Sequence, residues 1–195
     1  MGVGFKRKYG TSDIPVFQGY GKDIQLAQGG FLLDTTGLVI GTVLKAGTPM
    51  TFDESTRKAK PMATAVVYEN AGGTATQYKV KKGSILKVGD NLAKSKGGAA
   101  YAITAIDTSN ADYDLLTVGT TIGAATAGDV LFASTATGAT SAALPVIKGV
   151  LYADAVVDSG ESVSVAIRAT LYARRVPYSV DIAAALPGII YSQSM

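Results

Sequence analysis

The stretch from Leu38 to Tyr68 constrains the fold most, because apolar runs alternate in it with turn signals. Residues 38–44 form an apolar, β-branched run that predicts a strand. A turn follows in which Gly47 can adopt a positive φ without a steric penalty. Apolar and polar residues then alternate until residues 53–56 reverse the chain, and residues 57–68 return as a further strand. The stretch is typical of a β-meander that packs, not of a catalytic loop.

The composition indicates many short strands joined by turns. The chain has 195 residues with 23 Gly and no Trp, and Thr, Val, Ala, Gly and Ser predominate, which favours strands and turns over helices. Only 17% of the residues are charged, so small polar and apolar side chains must cover much of the surface. Such a surface suits a subunit that is largely covered by neighbouring chains. The sequence therefore predicts an all-β fold.

The chain contains neither cysteine nor histidine. Without cysteine it has no disulfides, thiolate nucleophiles or zinc–thiolate sites. Without histidine it lacks the usual general base near neutral pH and the commonest transition-metal ligand. No pair of carboxylates stands out for acid–base catalysis. We therefore expect no enzyme activity, no catalytic residue, no cofactor and no metal site.

Residues 1–30 are rich in glycine and polar residues, with scattered apolar side chains. A segment of this kind cannot bury enough apolar surface to order alone, so we interpret it as an extended arm that orders on a partner. Its basic residues are explained either as solvent-exposed charges without a partner or, as the more specific hypothesis, as charges that bind an acidic surface. The candidate contact residues are Phe5, Lys6, Arg7, Lys8, Ile14, Val16 and Phe17.

The absence of recognisable targeting signals and the small net charge reduce the classes of partner that we expect. The basic N-terminus is not followed by an apolar segment of the kind that a signal peptide contains, and no run reaches the length of a membrane span. The net charge of +3 is too small to indicate nucleic-acid binding by itself. We expect synthesis in a cytoplasm and neither a nucleic-acid nor a membrane partner.

The domain organisation is predicted from a break in the apolar pattern at residues 69–74. We interpret residues 31–72 and 144–195 as a discontinuous β core. Residues 73–143 are interpreted as an inserted, projecting β unit, either a small barrel or a sandwich. Residues 181–186 form the one expected helical turn.

Short strands are predicted in both units, and a turn motif recurs between them. The motif places a glycine and a small polar residue before an apolar strand, at residues 86–92, 125–131 and more loosely 44–50. Turn chemistry explains it, and three weak copies do not establish a repeat. The predicted strands are Tyr78–Val80, Ser84–Leu86, Tyr101–Ile106, Leu115–Val118, Val146–Tyr152 and Ser162–Arg168.

An acidic cluster offers oxygens of the kind that calcium prefers. Asp107, Asp112 and Asp114 lie near Asn110 in the sequence. Their spacing lacks the glycine and the bidentate glutamate of an EF-hand loop. We interpret them as turn residues between two strands.

Two basic clusters also have a functional and a structural interpretation. The first, a lysine cluster, lacks the interleaved aromatic residues with which nucleic-acid-binding proteins stack on bases. It is explained by an edge strand, on which lysines prevent pairing with a strand of another chain. The second could meet a carboxylate-rich partner or simply end strands in solvent. The residues are Lys79, Lys81, Lys82 and Lys87 in the first cluster and Arg168, Arg174 and Arg175 in the second.

Two regions of the chain, roughly residues 35–70 and 144–176, contain short motifs in a characteristic order. The motifs are Gly47–Met50 leading into Phe52–Asp53 and Ser55–Lys58, and Lys148–Asp154 followed by Ser162–Arg168 and Thr170–Tyr172. With these motifs the chain resembles the head decoration proteins of lambda type and related head-fibre proteins of tailed phages.

The resemblance implies a function in the virion and a particular architecture. It implies a β-tulip core that assembles as a homotrimer on the outer surface of the capsid and stabilises the shell. The partner would be the major capsid protein, and the N-terminal arm would join the sheets of the shell. Residues 73–143 depart from the simple family pattern, as an insertion that projects from the core.

Two other classes of function stay open beside this interpretation. One is a structural module of the tail or baseplate, or a carbohydrate-binding module that attaches the virion to a host, with a cell-surface glycan as the ligand of the inserted unit. Such a module is expected to expose Trp or Tyr platforms; Trp is absent, and the ten Tyr are scattered. The other is an enzyme that uses Lys or Asp chemistry.

Overall fold

The computed structural model describes residues 15–19 and 23–193 of the chain. The all-β prediction is confirmed, since seventeen strands lie in this part, whereas helix α1 (Val180–Ala185) has only six residues. A nine-stranded sheet consists of β1 (Phe17–Gln18), β2 (Gln25–Leu26), β3 (Phe31–Leu33), β5 (Pro49–Asp53), β6 (Lys58–Pro61), β13 (Gly149–Leu151), β15 (Ser162–Val163), β16 (Val165–Tyr172) and β17 (Ile189–Ser192). A six-stranded sheet consists of β7 (Thr64–Val66), β8 (Gln77–Lys81), β9 (Asn91–Ala93), β10 (Ala100–Asp107), β11 (Tyr113–Val118) and β12 (Val130–Ser134). The ribbon of β4 (Val43–Leu44) and β14 (Ala155–Val156) is separate.

The nine-stranded sheet is organised around β16. Its order is β1-β16-β13-β5-β6-β3-β15, and β2 and β17 also pair with β16. Only Ser164 separates β15, the last strand of this order, from β16, the second strand, so the chain connects opposite sides of the sheet and the sheet curls. Its concave side encloses a cluster of buried apolar side chains that includes Phe31, Met50, Leu151 and Val165. Burial of such side chains supplies the main driving force for this half of the fold.

The six-stranded sheet curls around a second apolar cluster. Its order is β7-β12-β9-β10-β11-β8, and an isolated bridge between Val67 and Val80 joins its first strand to its last. Alternate residues of each strand point inward, as the period of two in a strand requires. The enclosed side chains include Tyr78, Leu92 and Leu131, which are fully buried.

A third apolar cluster holds the two sheets together. It combines Phe132 of the six-stranded sheet with Val150 and Leu171 of the nine-stranded sheet and Ile182 of α1. The first strand of the six-stranded sheet begins at Thr64, before the boundary that the sequence predicted near residue 73. The division of the chain into an inserted unit and a discontinuous core stays a prediction.

Several local predictions agree with the structure. Met50 and Phe52 of β5 are buried while Asp53 is exposed, as the alternation predicted. Helix α1 begins at Val180, where the Ser179 side chain accepts a hydrogen bond from a backbone N–H in the first turn. This is the usual N-cap interaction, which satisfies one of the free donors of a helix.

Several predicted strands differ from the structure. Residues 57–68, predicted as one strand, form β6 and β7, because the chain passes from one sheet to the other at residues 62–63. The strand predicted over Val146–Tyr152 is limited to Gly149–Leu151, and Ser164 interrupts the one predicted over Ser162–Arg168.

Residues 84–86 form no strand, because the Ser84 hydroxyl accepts a hydrogen bond from the N–H of Leu86 at 3.1 Å and stabilises a local turn instead. The strand predicted over residues 38–44 is reduced to Val43–Leu44. The residues before it form turns, in which backbone hydrogen bonds join Leu38 to Thr35 and Thr42 to Val39.

The recurring turn motif adopts the same geometry in its two close copies. The glycine of each turn has a φ of +96° or +94°. Asp90 Oδ2 accepts a hydrogen bond from Lys87 N at 3.0 Å, and Asp129 Oδ2 accepts one from Thr126 N at 2.8 Å. The two turns lead into β9 and β12, which pair with each other. The motif is therefore a device for starting strands, as turn chemistry predicted.

Gly47 satisfies two separate requirements of the third turn. Its φ is +84°, and a Cβ atom at this position would lie 2.2 Å from Cγ1 of Val176. Gly160 has a similar φ of +85° but nothing within 4 Å of the corresponding point. A comparison of alanine substitutions at the two positions therefore distinguishes the cost of backbone strain from the cost of overpacking.

We expect Gly47→Ala to reduce the free energy of unfolding more than Gly160→Ala does. The backbone term, about 1–2 kcal/mol, applies to both variants. Overpacking adds about 1–3 kcal/mol at Gly47 alone. Urea unfolding of both variants measures the difference, and equal losses would contradict the close packing of Gly47 against Val176.

Candidate functional site

Two of the seven predicted contact residues lie in the described part of the chain. Val16 and Phe17 are half-buried and pack against the apolar cluster between the two sheets. Phe17 pairs with Leu171 in β16, and its ring lies 5.2 Å from the ring of Tyr152. The other five, Phe5, Lys6, Arg7, Lys8 and Ile14, lie outside the described residues.

Part of the predicted arm is integrated into the chain's own sheet. β1 and β2, which fall within residues 1–30, both pair antiparallel with β16. Arg175 strengthens this attachment, because its guanidinium donates a hydrogen bond to the carbonyl oxygen of Pro15 and lies 4.5 Å from the Tyr172 ring. Strands β1 and β2 are thus fixed on the core.

An exposed apolar surface lies on and beside the β4–β14 ribbon. Val43 and Val156 face each other across the ribbon, with 45% and 43% of their surface exposed. Val39 and Ile40 in the preceding turn are 76% and 61% exposed. Backbone hydrogen bonds from residues 41 and 157 hold this turn against the ribbon. We call these four residues the apolar ribbon surface; clustered exposed apolar side chains mark protein–protein contact sites.

A cleft of about 560 Å³ lies beside this surface, between the two sheets. The end of β4, strand β7, the loop after β8 and a 3-10 turn at Ala173–Arg175 form its walls. No Asp or Glu is among the described residues that line it. We call it the cationic cleft because its charged lining residues are Lys45, Lys81, Lys82, Arg174 and Arg175.

The basic stripe predicted from the sequence is divided among different contacts. Lys79 forms an ion pair with Glu69 at 2.6 Å and lies 5.1 Å from the centre of the Tyr113 ring. Lys82 forms an ion pair with Asp114 at 2.8 Å. Lys79 and Lys81 project from the same face of β8, and Lys81 also lines the cationic cleft together with Lys82. The members of the stripe therefore have different partners.

The turn prediction for the acidic cluster holds only for Asp112, because Asp107 is the last residue of β10 and Asp114 lies within β11. The Asp107 carboxylate accepts a hydrogen bond from Ser109 N at 2.9 Å, and hydrogen bonds from Ser109 lower the pKa of Asp107. Asn110 accepts one from Asp112 N in the same way. Asp114 is buried, and its carboxylate forms the ion pair with Lys82. Within the described residues, no group of acidic side chains is arranged to hold a metal ion.

An aromatic pair lies on the outside of the six-stranded sheet. The rings of Tyr68 and Tyr113 are 5.6 Å apart, and 44% of the Tyr68 surface is exposed. A groove beside the pair is lined by polar residues that include Glu69, Asn70 and Gln77. Phenol rings beside polar groups offer both apolar contact and hydrogen bonds to a ligand.

Tyr191 has a buried hydroxyl that finds no hydrogen-bond partner among the described residues. Burial and, to a lesser extent, neighbouring Tyr178 raise the pKa of Tyr191, so the folded protein favours the neutral phenol. An unfolded tyrosine ionises near pH 10, so this residue's contribution to stability is present below about pH 10 and is lost as the pH rises further.

We expect Tyr191→Phe to flatten the alkaline loss of stability. At neutral pH the variant should unfold with a free energy within about 1 kcal/mol of the parent chain, because the hydroxyl makes no hydrogen bond to the described residues that would be lost. Urea unfolding at pH values from neutral to above about 10 provides the measurement. A variant whose stability falls as steeply as the parent's above that pH would show that Tyr191 is not the cause.

Sequence reasoning missed the apolar ribbon surface and the cationic cleft. Residues 38–44 have a strand-like composition, and only the structure shows that Val39 and Ile40 lie in an exposed turn. The cleft unites Lys45, Lys81 and Arg174, which are far apart in the sequence. Its local signals were two adjacent basic pairs, Lys81–Lys82 and Arg174–Arg175.

These surfaces are suited to non-covalent binding, through apolar contact on the ribbon and positive charge in the cleft. In the described part of the chain, no helix has the length and apolar character to span a membrane. Comparison with protein families, curated proteins and solved structures finds no match to this chain.

Proposed function

We propose that this chain is a structural virion protein, an auxiliary capsid protein that binds the outer surface of a phage head as a homotrimer and stabilises it. The proposal extends the resemblance found in the sequence. The proposed partner is the major capsid protein. The protein would act by non-covalent binding, without making or breaking a covalent bond.

The observation that carries the proposal is the pairing of the two regions that show the resemblance. They are separated by about seventy residues of other sequence, yet their strands are neighbours in one sheet. Gly149 of β13 pairs with Met50 of β5, and Val150 pairs with Ala166 of β16. This adjacency supports one decoration-type core with an insertion between its halves.

The apolar ribbon surface supports the choice of a partner-binding role and is the surface that we assign to the shell. Four clustered, exposed apolar side chains are costly in water unless a partner covers them. A protein that binds the assembled shell and not its free subunits stabilises the assembled state by mass action. A trimer strengthens this effect, because three contacts form together at one threefold position.

A second candidate function, attachment to a cell-surface glycan, is favoured by the Tyr68–Tyr113 pair. The pair and the polar groove beside it lie on the six-stranded sheet, which contains most of the predicted insertion. Titration with glycans tests it, and Tyr68→Ala should abolish any binding located there. The two functions are compatible, since a head-fibre protein can hold the shell with one unit and project the other.

The proposal is tested by mixing the full chain with undecorated capsids and sedimenting the shells. We expect the protein to sediment with capsids, to be a trimer by light scattering before mixing, and to raise the temperature at which shells disassemble. A chain lacking residues 1–30 should bind more weakly, although it also lacks β1 and β2, so its folding must be checked by circular dichroism. A monomer that stays in the supernatant would contradict the proposal.

A further inference from the structure

We propose that the cationic cleft binds an extended acidic peptide segment, and that on the virion this segment belongs to the major capsid protein. The identity of the partner rests on the proposed function. The chemical nature of the ligand is inferred from the cationic side chains, the apolar lining residues and the backbone groups of the cleft itself.

Three of the five positive charges that line the cleft have no carboxylate partner among the described residues. Five cationic side chains line it, and two of them already have carboxylate partners from outside the lining: Lys45 with Asp154 at 2.9 Å, and Lys82 with Asp114 at 2.8 Å. Among the described residues, Lys81, Arg174 and Arg175 form no ion pair. All three are exposed. A concave surface of one sign concentrates ligands of the opposite charge.

The floor of the cleft distinguishes a peptide from a purely ionic ligand. Apolar side chains line it between the cations, among them Val66, Val130 and Val176. An extended chain points alternate side chains to opposite sides. A segment that alternates acidic and apolar residues could therefore place its carboxylates on the cations and its apolar side chains on the floor.

The backbone in one wall leaves room for main-chain pairing. Gly83, which follows the end of β8 by two residues, has a φ of +86°, and residues 83–85 make no backbone–backbone hydrogen bond within the described part of the chain. Unpaired backbone groups beside an open cleft can pair with an added extended segment. Cations, an apolar floor and free backbone groups thus converge in one place.

The cleft lies next to the apolar ribbon surface that we assign to the capsid shell, so a segment of the capsid protein would be close to it. Val43 belongs to both the apolar ribbon surface and the lining of the cleft, so the two surfaces are continuous. The first fourteen residues of the chain do not complement the cleft by charge, because they carry Lys6, Arg7 and Lys8 and a single acid, Asp13. An acidic segment from another protein fits better.

The test compares two charge-matched double variants of the full chain. Lys81→Gln with Arg174→Gln removes two unpaired cations of the cleft. Lys58→Gln with Lys96→Gln removes two exposed lysines that do not line it. Both pairs change the net charge equally, so a non-specific electrostatic effect would be the same in both.

The probe is a fluorescent synthetic peptide that alternates glutamate and valine, measured by anisotropy. We expect it to bind the parent chain, and to bind more weakly as salt is raised to ~150 mM. The cleft variant should bind about tenfold more weakly, and the control variant should stay within about twofold of the parent. Equal loss in the two variants would overturn the inference, as would binding of a sulfated oligosaccharide without binding of the acidic peptide.

Capsid sedimentation with the same variants separates this inference from the proposed function. If the parent chain and the cleft variant bind capsids equally, the inference about the cleft is overturned and the proposed function stands. If the parent chain does not bind capsids, the proposed function fails, and with it the assignment of the segment to the capsid protein. Weaker capsid binding by the cleft variant alone supports both.

Discussion

Tyr78→Ala is expected to reduce the free energy of unfolding by about 3–5 kcal/mol, the range for removing a large aromatic side chain from a core. Tyr78 is fully buried at the centre of the six-stranded sheet's apolar cluster. Its hydroxyl also joins two segments, since it lies 2.8 Å from the carbonyl of Ala75 before β8, and 2.9 Å from the carbonyl of Gly123 and 3.1 Å from the N–H of Ile122 in the loop after β11. Urea unfolding followed by circular dichroism gives the loss.

Two further variants divide this effect into its parts. Tyr78→Phe keeps the ring and removes the hydroxyl, so it should cost about 1–3 kcal/mol by leaving buried polar groups unpaired. Tyr68→Ala removes an exposed tyrosine of the same sheet and should cost less than about 1 kcal/mol. A Tyr78→Ala variant as stable as Tyr68→Ala would contradict the central position of Tyr78 in this cluster.

The second large effect is expected on capsid binding, from charges placed on the apolar ribbon surface. Ile40→Asp combined with Val43→Asp should weaken binding to undecorated capsids at least about 30-fold, because two desolvated apolar contacts are each replaced by a charge. Sedimentation over a range of protein concentrations gives the affinity. Folding should be preserved, since both side chains are exposed and surface substitutions usually change stability by about 0.5 kcal/mol or less.

A matched control places the same charges elsewhere. Val146 and Val180 are 74% and 75% exposed and lie outside the apolar ribbon surface, so Val146→Asp combined with Val180→Asp should leave capsid binding unchanged. Light scattering on all variants separates shell contact from trimer contact. A ribbon variant that binds normally, or one that loses binding only because it becomes a monomer, would contradict the assignment of this surface to the shell.

Strand periodicity and capping made part of the fold predictable. The alternation at Met50 and Phe52 identified a strand with one buried face, and Pro187 with Gly188 marked the end of α1. These signals are local, and the local chemistry agrees with the tertiary structure. Ser84 shows the opposite case, because a side-chain hydrogen bond to the backbone competes with strand pairing where the apolar pattern covers only a few residues.

The candidate surfaces were less predictable, because they depend on which distant segments become neighbours. Val39 and Ile40 belong to a run whose composition predicts burial, and their exposure follows from turns that precede β4. The cationic cleft forms where the loop after β8 meets the 3-10 turn after β16. No spacing within the sequence encodes that meeting. The predicted contacts at Val16 and Phe17 lie against the core, so shell contact there stays a prediction.

Electron microscopy of capsids mixed with the full chain tests whether the protein binds the outside of the shell. We expect trimeric density on the outer surface at threefold positions of the shell, with the nine-stranded sheet next to the major capsid protein and the six-stranded sheet farther out. Shells whose exterior carries no added density at saturating protein would contradict it.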